Sequence, residues 1–263
     1  MKSKKTTLKV VPVKPKKDLL SSLRHLKNQF GACGLKLSTE DAAMSIEQIG
    51  YWAEFSGNIL STVVKIGGPN ARNDIKQLLP LNIDGLIAPM VESSYGLENF
   101  ISAVRDFTTP MQFERLKKQI NIETETAVRQ LDSILSAPEA KYIDEITIGC
   151  SDLSESMKKP RWDASFIAQV VKVVKKIKQK NIPVSVGGGI TPETIDECLK
   201  QVQPDNFNTR IITFKAEPGR DYREAVQSAL RFEILMLEHD CSLKFISRDE
   251  EKFRIKELKK RLK

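Results

Sequence analysis

Eight short β-branched runs, at residues 8–13, 34–39, 62–66, 85–90, 119–123, 145–149, 183–186 and 208–214, alternate along this chain with longer runs of helical periodicity. That alternation leaves few folds open, because parallel strands need a crossover of a dozen or more residues and a helix laid on the sheet supplies it. The helical runs carry the one-sided apolar faces such crossovers require. Residues 18–30 align Leu19, Leu20, Leu23, Leu26 and Phe30, and residues 165–178 set Phe166, Ile167, Val170, Val171 and Val174 against a lysine-rich face. Ser45-Ile46-Glu47-Gln48 has the form of a capping box, with Ile46, Ile49 and Ala53 turned inward. Thr191-Pro192 places a capping hydroxyl before a proline at the first helical position. No run is followed by G-x-G-x-x-G, which weighs against an open dinucleotide-binding sheet. The expectation is an α/β chain of the closed (β/α)₈ TIM-barrel class over 1–238, with a C-terminal helical extension over 239–263. A long helix is expected at 221–238, and a basic one at 250–263 with Phe253, Ile255, Leu258 and Leu262 as its packing stripe.

The formal charge of +8 sits at the two ends: residues 1–17 hold seven lysines and no acid, residues 244–263 net +5, and the body between them is left at −4. Basic ends invite a nucleic-acid reading, but the first segment has no aromatic residue to stack on bases. A solvated tail and a packing helix are expected instead. Cys33, Cys150, Cys198 and Cys241 form no C-x-x-C pair, which points to reduced thiols in a cytoplasmic protein. Neither a secretory signal nor a membrane-length apolar run is evident.

Barrel enzymes carry their reactive groups at the C-terminal ends of the strands. That rule gathers Glu40, Asp41, Lys65, Glu92, Asn121, Glu123, Ser151, Asp152, the glycines 187–189 and Arg210, the last placed within the final strand. Glu123 and Asp152 end neighbouring strands, and two hard oxygen ligands at a wet opening suit Mg²⁺ or Mn²⁺ with positions left for substrate. The plain alternative is an ion pair that balances buried charge between such residues and Lys65. The loop Gly187-Gly188-Gly189, assisted by Arg210, is open to two readings, an anion site or a tight βα turn. Cys150 is expected to be a small packing residue.

Lys36-Leu37-Ser38-Thr39-Glu40-Asp41-Ala42, Val64-Lys65-Ile66, Ala88-Pro89-Met90-Val91-Glu92-Ser93, Ile122-Glu123-Thr124 and Ile148-Gly149-Cys150-Ser151-Asp152-Leu153 follow one another in order. The set resembles the HpcH/HpaI aldolases and the β chain of citrate lyase, over about residues 32 to 214. The resemblance implies a (β/α)₈ barrel, a Mg²⁺ or Mn²⁺ ion on Glu123 and Asp152, and carbon–carbon cleavage of a 2-oxo acid through a metal-stabilised enolate. It implies a homo-oligomer as well. It makes Asn121 and Ser151, with the backbone at Gly149, candidates to bind substrate beside Gly188 and Arg210 from the loop reading, and Lys65, Glu40 and Asp41 candidates for catalysis. Two departures bear on the chemistry. Lys65 stands where the family usually has arginine, and a point charge replaces a two-pronged donor. Asp41 follows Glu40 where the aromatic-degradation aldolases have histidine, and His25 and His239 fall in helical runs. A carboxylate or a metal-bound water is then left to move the proton. The same residues permit a barrel kept as a non-catalytic scaffold, or a lyase for a phosphorylated or CoA-thioester substrate.

Overall fold

The computed structural model describes residues 17–262. Eight strands close one barrel in chain order: β1 (Ala32–Ser38), β2 (Ser61–Lys65), β3 (Gly85–Ala88), β4 (Lys117–Ile122), β5 (Glu145–Gly149), β6 (Val184–Gly187), β7 (Asn206–Asn208) and β8 (Ile212–Lys215). The helix Lys17–Phe30 precedes β1 and buries Leu19, Leu23 and Leu26, as its stripe requires.

The barrel class is as expected, but its strands are counted differently. The run at 8–13 lies outside the described residues, and the run at 208–214 is a hairpin rather than a strand. β7 stops at Asn208, the turn passes through Thr209, Arg210 and Ile211, and β8 returns antiparallel to both β7 and β1. The cause is local. Thr209 Oγ1 accepts from the Ile212 amide at 3.2 Å, and the Thr209 amide donates to the Ile212 carbonyl at 2.9 Å, folding an otherwise β-branched run back on itself. Arg210 therefore sits in this turn, not within a strand.

Alternate residues face outward to the helices, among them Leu35, Leu37, Val64, Ile120, Ile122, Ile146, Ile148 and Phe207, all at most 1% exposed. The inward set is mainly polar, with Val63 and Ile87 among it. Ser61, Gln119, Glu145, Thr147, Asn206, Asn208 and Thr213 line a lumenal cavity of about 140 Å³. Asn206 donates to Glu145 at 2.5 Å and Asn208 to Ser185 at 3.1 Å, so buried polar groups here satisfy one another.

Ser45 caps the helix Ile46–Ser56 by accepting from the Gln48 amide at 3.1 Å, while the Gln48 side chain leaves the cap and donates to Asp240 at 2.9 Å. Thr191-Pro192 does not open a helix. The Thr191 amide donates to Thr194 Oγ1 at 3.0 Å, forming a turn from which the helix Ile195–Val202 starts. The helix Arg223–Ser242 runs unbroken across position 238 and packs on Lys17–Phe30 and on the terminal helix Arg248–Arg261. In that last helix Phe253 is 65% exposed, whereas Glu251 and Leu258 are buried, so the covered face is more charged than the apolar stripe implied.

Asp240 anchors the long helix to the barrel, accepting from Trp52 Nε1 at 2.7 Å and Gln48 Nε2 at 2.9 Å. Burial raises its carboxyl to about 6, against the lowering effect of those two hydrogen bonds. A carboxyl raised in the fold binds more protons folded than unfolded between about 3.8 and 6, so stability falls as pH rises through that window. Asp240→Asn is expected to flatten this stretch of the Tm-against-pH curve, read by calorimetry. An unchanged slope counts against Asp240 as its source.

Candidate active site

The C-terminal mouth is built around Glu123, which follows β4 and is 3% exposed. Each of its oxygens is fixed: Oε1 accepts from the Met90 amide at 2.9 Å and Oε2 from Asn121 Nδ2 at 3.0 Å. Met90 holds a left-handed φ of 53°, the backbone setting in which its N–H reaches Glu123. Gly149 ends β5 directly against this carboxylate, and a Cβ there would lie 2.8 Å from Glu123 Cβ and collide with Oε2. Asp152 lies exposed in the short helix Cys150–Ser156, and its carboxylate makes no hydrogen bond or ion pair among the described residues. Burial raises the Glu123 carboxyl first; the Met90 amide and Lys65 pull it down, Asp152 pushes it up, and the net shift is upward. Asp152 is also raised, by burial and then by Glu155, Glu40 and Asp41 against Lys65.

Glu123 is buried and Asp152 exposed at the same mouth, both carboxyls are raised with burial as the first cause, and a hard divalent cation would favour their charged forms. Among the described residues no three His, Cys, Asp or Glu side chains gather into a complete metal cage. A Mg²⁺-type ion does not need one, since it commonly takes one or two carboxylates and fills its remaining positions with water and substrate. Glu123 and Asp152 fit that pattern.

Lys65 ends β2 at 7% exposure, its Nζ 2.6 Å from Glu40 and 3.3 Å from Asp41. Burial would lower this amine, but Asp41 and Glu40 outweigh it and the pKa rises, so Lys65 is a firmly held cation. Asp41 shows the reciprocal effect. Burial pushes it up, yet Lys65, Ser38, Lys36 and Arg210 hold it at about 2. Arg210 reaches Asp41 at 3.9 Å and the buried Glu233 at 3.7 Å. The other glycine-loop candidates meet as follows. A Cβ on Gly188, whose φ is 88°, would lie 2.6 Å from the Ser151 amide and 2.8 Å from its Oγ. Arg161 packs on Gly189 and donates to Ser151 Oγ at 3.0 Å, and Arg261 donates to the Ile190 carbonyl at 2.9 Å. Both the backbone conformation and the close approach call for glycine here. The guanidinium groups on this loop are those of Arg161 and Arg261, while Arg210 turns to Asp41 and Glu233.

Cys150 is fully buried, its thiol facing the Ile148 carbonyl, and burial drives its pKa well up, which suits a packing residue. Glu92 accepts from Thr124 Oγ1 at 2.6 Å at the rim. Three features escaped the sequence argument: the Met90 amide, Arg161 and Lys36. For Lys36 a signal existed. It breaks the apolar pattern of Gly34-Leu35-Lys36-Leu37 as Lys65 breaks that of β2.

Gly149→Ala is expected to displace Glu123 and weaken Mn²⁺ binding by about 10- to 100-fold, the loss typical of disturbing a ligand's support. Calorimetric titration reads this directly, and wild-type affinity in the variant would show that the close approach is not needed.

The family profile described as HpcH/HpaI aldolase/citrate lyase matches residues 38–182. Among solved structures, an HpcH/HpaI aldolase from Desulfitobacterium hafniense DCB-2 aligns over 70% of this chain and 79% of its own, at 17% identity and a TM-score of 0.57. An HpcH/HpaI aldolase/citrate lyase family protein from Burkholderia cenocepacia J2315 aligns over 72% and 82%, at 13% identity and 0.59. Citrate synthase SbnG aligns over 81% and 98%, at 17% identity and 0.56. At these identities the likeness is one of fold. No curated protein matches the chain by sequence. No helix among the described residues is long and apolar enough to cross a membrane.

Proposed function

Because the chain belongs to the HpcH/HpaI aldolase/citrate lyase family, we propose that it is a divalent-cation-dependent carbon–carbon lyase acting on a 2-oxo acid. The observation that carries this reading is Glu123, buried and aimed by the Met90 amide and Asn121, with the exposed Asp152 acting on it electrostatically from the next strand end. A bound Mg²⁺ or Mn²⁺ would act as a Lewis acid, drawing density from the substrate carbonyl and stabilising an enolate.

The remaining roles belong to the chain itself. Lys65, kept charged by Glu40 and Asp41, offers a fixed positive centre to the oxo oxygen as negative charge develops there. Glu40 and Asp41 are then positioning groups for Lys65. Asn121 spends its amide N–H on Glu123, but its Oδ1 is buried without a hydrogen bond among the described residues and is free to accept from substrate or water. Ser151 and the backbone from Gly149 to Gly188 would take the substrate carboxylate. A symmetric oligomer with contacts through the C-terminal helices is part of the same proposal.

The test is loss of the pyruvate methyl ¹H signal in D₂O with Mg²⁺ or Mn²⁺. Exchange that needs the ion supports the lyase. A protein that neither exchanges protons nor binds Mn²⁺ is a scaffold. One observation favours a variant reading: Arg161 and Arg261 flank the glycine loop beside Ser151, which suits a phosphate or carboxylate at the far end of the substrate. Competition of inorganic phosphate with substrate, lost in Arg161→Gln, would support it.

A further inference from the structure

We propose that Lys36 is the group that takes and returns the C3 proton of the substrate, a role that rests on the 2-oxo acid reading above. Forming an enolate needs a base near the substrate, and most side chains at this mouth are already committed, Glu92 to Thr124 among them. Glu40 and Asp41 hold Lys65, and Asp41, kept at about 2, is a poor proton acceptor. Glu123 and Asp152 are the proposed ion ligands. Both histidines lie on helices outside the barrel wall, His25 on Lys17–Phe30 and His239 on Arg223–Ser242, where His239 meets Tyr51 at 2.6 Å. Cys150 is sealed in the core.

Lys36 remains. It lies in β1, two residues before the strand ends at Ser38, in register with Val63 of β2. Its alternation places it on the lumenal side of β1 with Ser38, partly exposed and lining a small cavity with Asp41 and Arg210, while Leu35 and Leu37 face the helices. The charged groups around it come from four directions: Asp41 from the loop after β1, Lys65 from β2, Glu123 from β4 and Arg210 from the β7–β8 turn. Lys65 has two carboxylates bound to it. The Lys36 amine has no hydrogen bond or ion pair among the described residues. Burial, and then the cation of Lys65, lower its pKa; Asp41 and Glu123 oppose this, Arg210 adds to it, and the net shift is down. Desolvation beside a second cation is the usual way in which a lysine becomes a usable base near neutral pH.

The step balances without a further reactant. The amine lone pair takes the proton from C3, the C–H pair becomes the C2–C3 double bond, and the carbonyl π pair moves to oxygen. The resulting ammonium returns a proton to C3 and restores both amine and keto acid.

The experiment is pyruvate methyl exchange with Mn²⁺ in wild type, Lys36→Met and Lys36→Arg, with Mn²⁺ affinity measured calorimetrically on each. Both substitutions are expected to slow exchange by about 100-fold or more, the range for removing a general base, with Mn²⁺ affinity unchanged. Arginine keeps the charge and length, so it guards against misfolding of the methionine variant while remaining unable to lose its proton. The acid limb of the wild-type pH–rate profile should vanish in the variants. Small primary amines should restore exchange to Lys36→Met in order of their basicity, which a merely structural lysine would not allow. Exchange in either variant within about threefold of wild type overturns the assignment and leaves the lyase standing, because a general base should be worth far more than that. Trapping of a pyruvate adduct on Lys36 by borohydride also overturns it, since the amine would then be a covalent nucleophile. Wild type that binds no Mn²⁺ and exchanges nothing defeats the lyase reading and this one together.

Discussion

Glu123→Ala is expected to abolish Mn²⁺ binding and slow pyruvate methyl exchange at least about a thousandfold. The size follows from what the residue supports. Lewis-acid stabilisation of developing charge contributes several kcal/mol, and about 4 kcal/mol corresponds to roughly three powers of ten in rate. The fold should tolerate the change. Burial already works against this carboxylate, as its raised pKa records. Its removal leaves two donors unpaired, the Met90 amide and Asn121 Nδ2, at a cost of about 1–3 kcal/mol each. The loss of an uncompensated buried charge offsets part of that cost. Tm is therefore expected to move by only a few degrees. Full exchange activity in a folded Glu123→Ala protein would remove the proposed centre, whereas collapse of the fold would mark Glu123 as a structural residue.

The second large effect is expected from Lys65→Met. Loss of one preorganised donor to a developing oxyanion typically costs about 10²–10³ in rate, and exchange should fall by that factor with Mn²⁺ affinity little changed. Lys65→Arg should recover a large part of the rate, since the guanidinium restores a cation facing Glu40 and Asp41. A pH signature separates this from simple destabilisation. Asp41 is held at about 2, below its ordinary 3.8, so its contribution to stability is present above 3.8 and is lost as pH falls toward 2. Without Lys65 much of that lowering disappears, and the acid side of the stability curve should become shallower. An acid limb identical to that of wild type would show that Lys65 does not hold Asp41 in solution.

The carboxylates were legible because strand ends are marked in sequence: β-branched runs stop at Ile122 and Ile148, and the residues just past them fall at a barrel's mouth whatever their partners. Lys65 was legible for the same reason, as a charge where an apolar residue was due. Lys36 carries an equal mark, and only its place inside the lumen, with no partner, gives the mark a meaning. Arg161 gave no sign of itself, lying ten residues past Ser151 in a lysine-rich stretch. The Met90 amide is a backbone group, which the residue type does not reveal.

The sequence by itself determined the class of the fold and the ring of residues at its mouth, because periodicity and strand termination are local properties of the chain. The tertiary structure alone decided how the barrel closes and how the charges are shared. Whether 208–214 runs on or turns back depends on Thr209 bonding to Ile212, and β8 lies antiparallel against β1 only because that turn delivers it there. Whether an inward-facing lysine is a neutralised cation or a lone amine depends on which carboxylates come into contact with it through space. Lys65 has two of them in ion-pair contact and Lys36 feels Asp41 and Glu123 only at longer range, and Coulomb interactions depend on distance across the mouth, not on spacing along the chain.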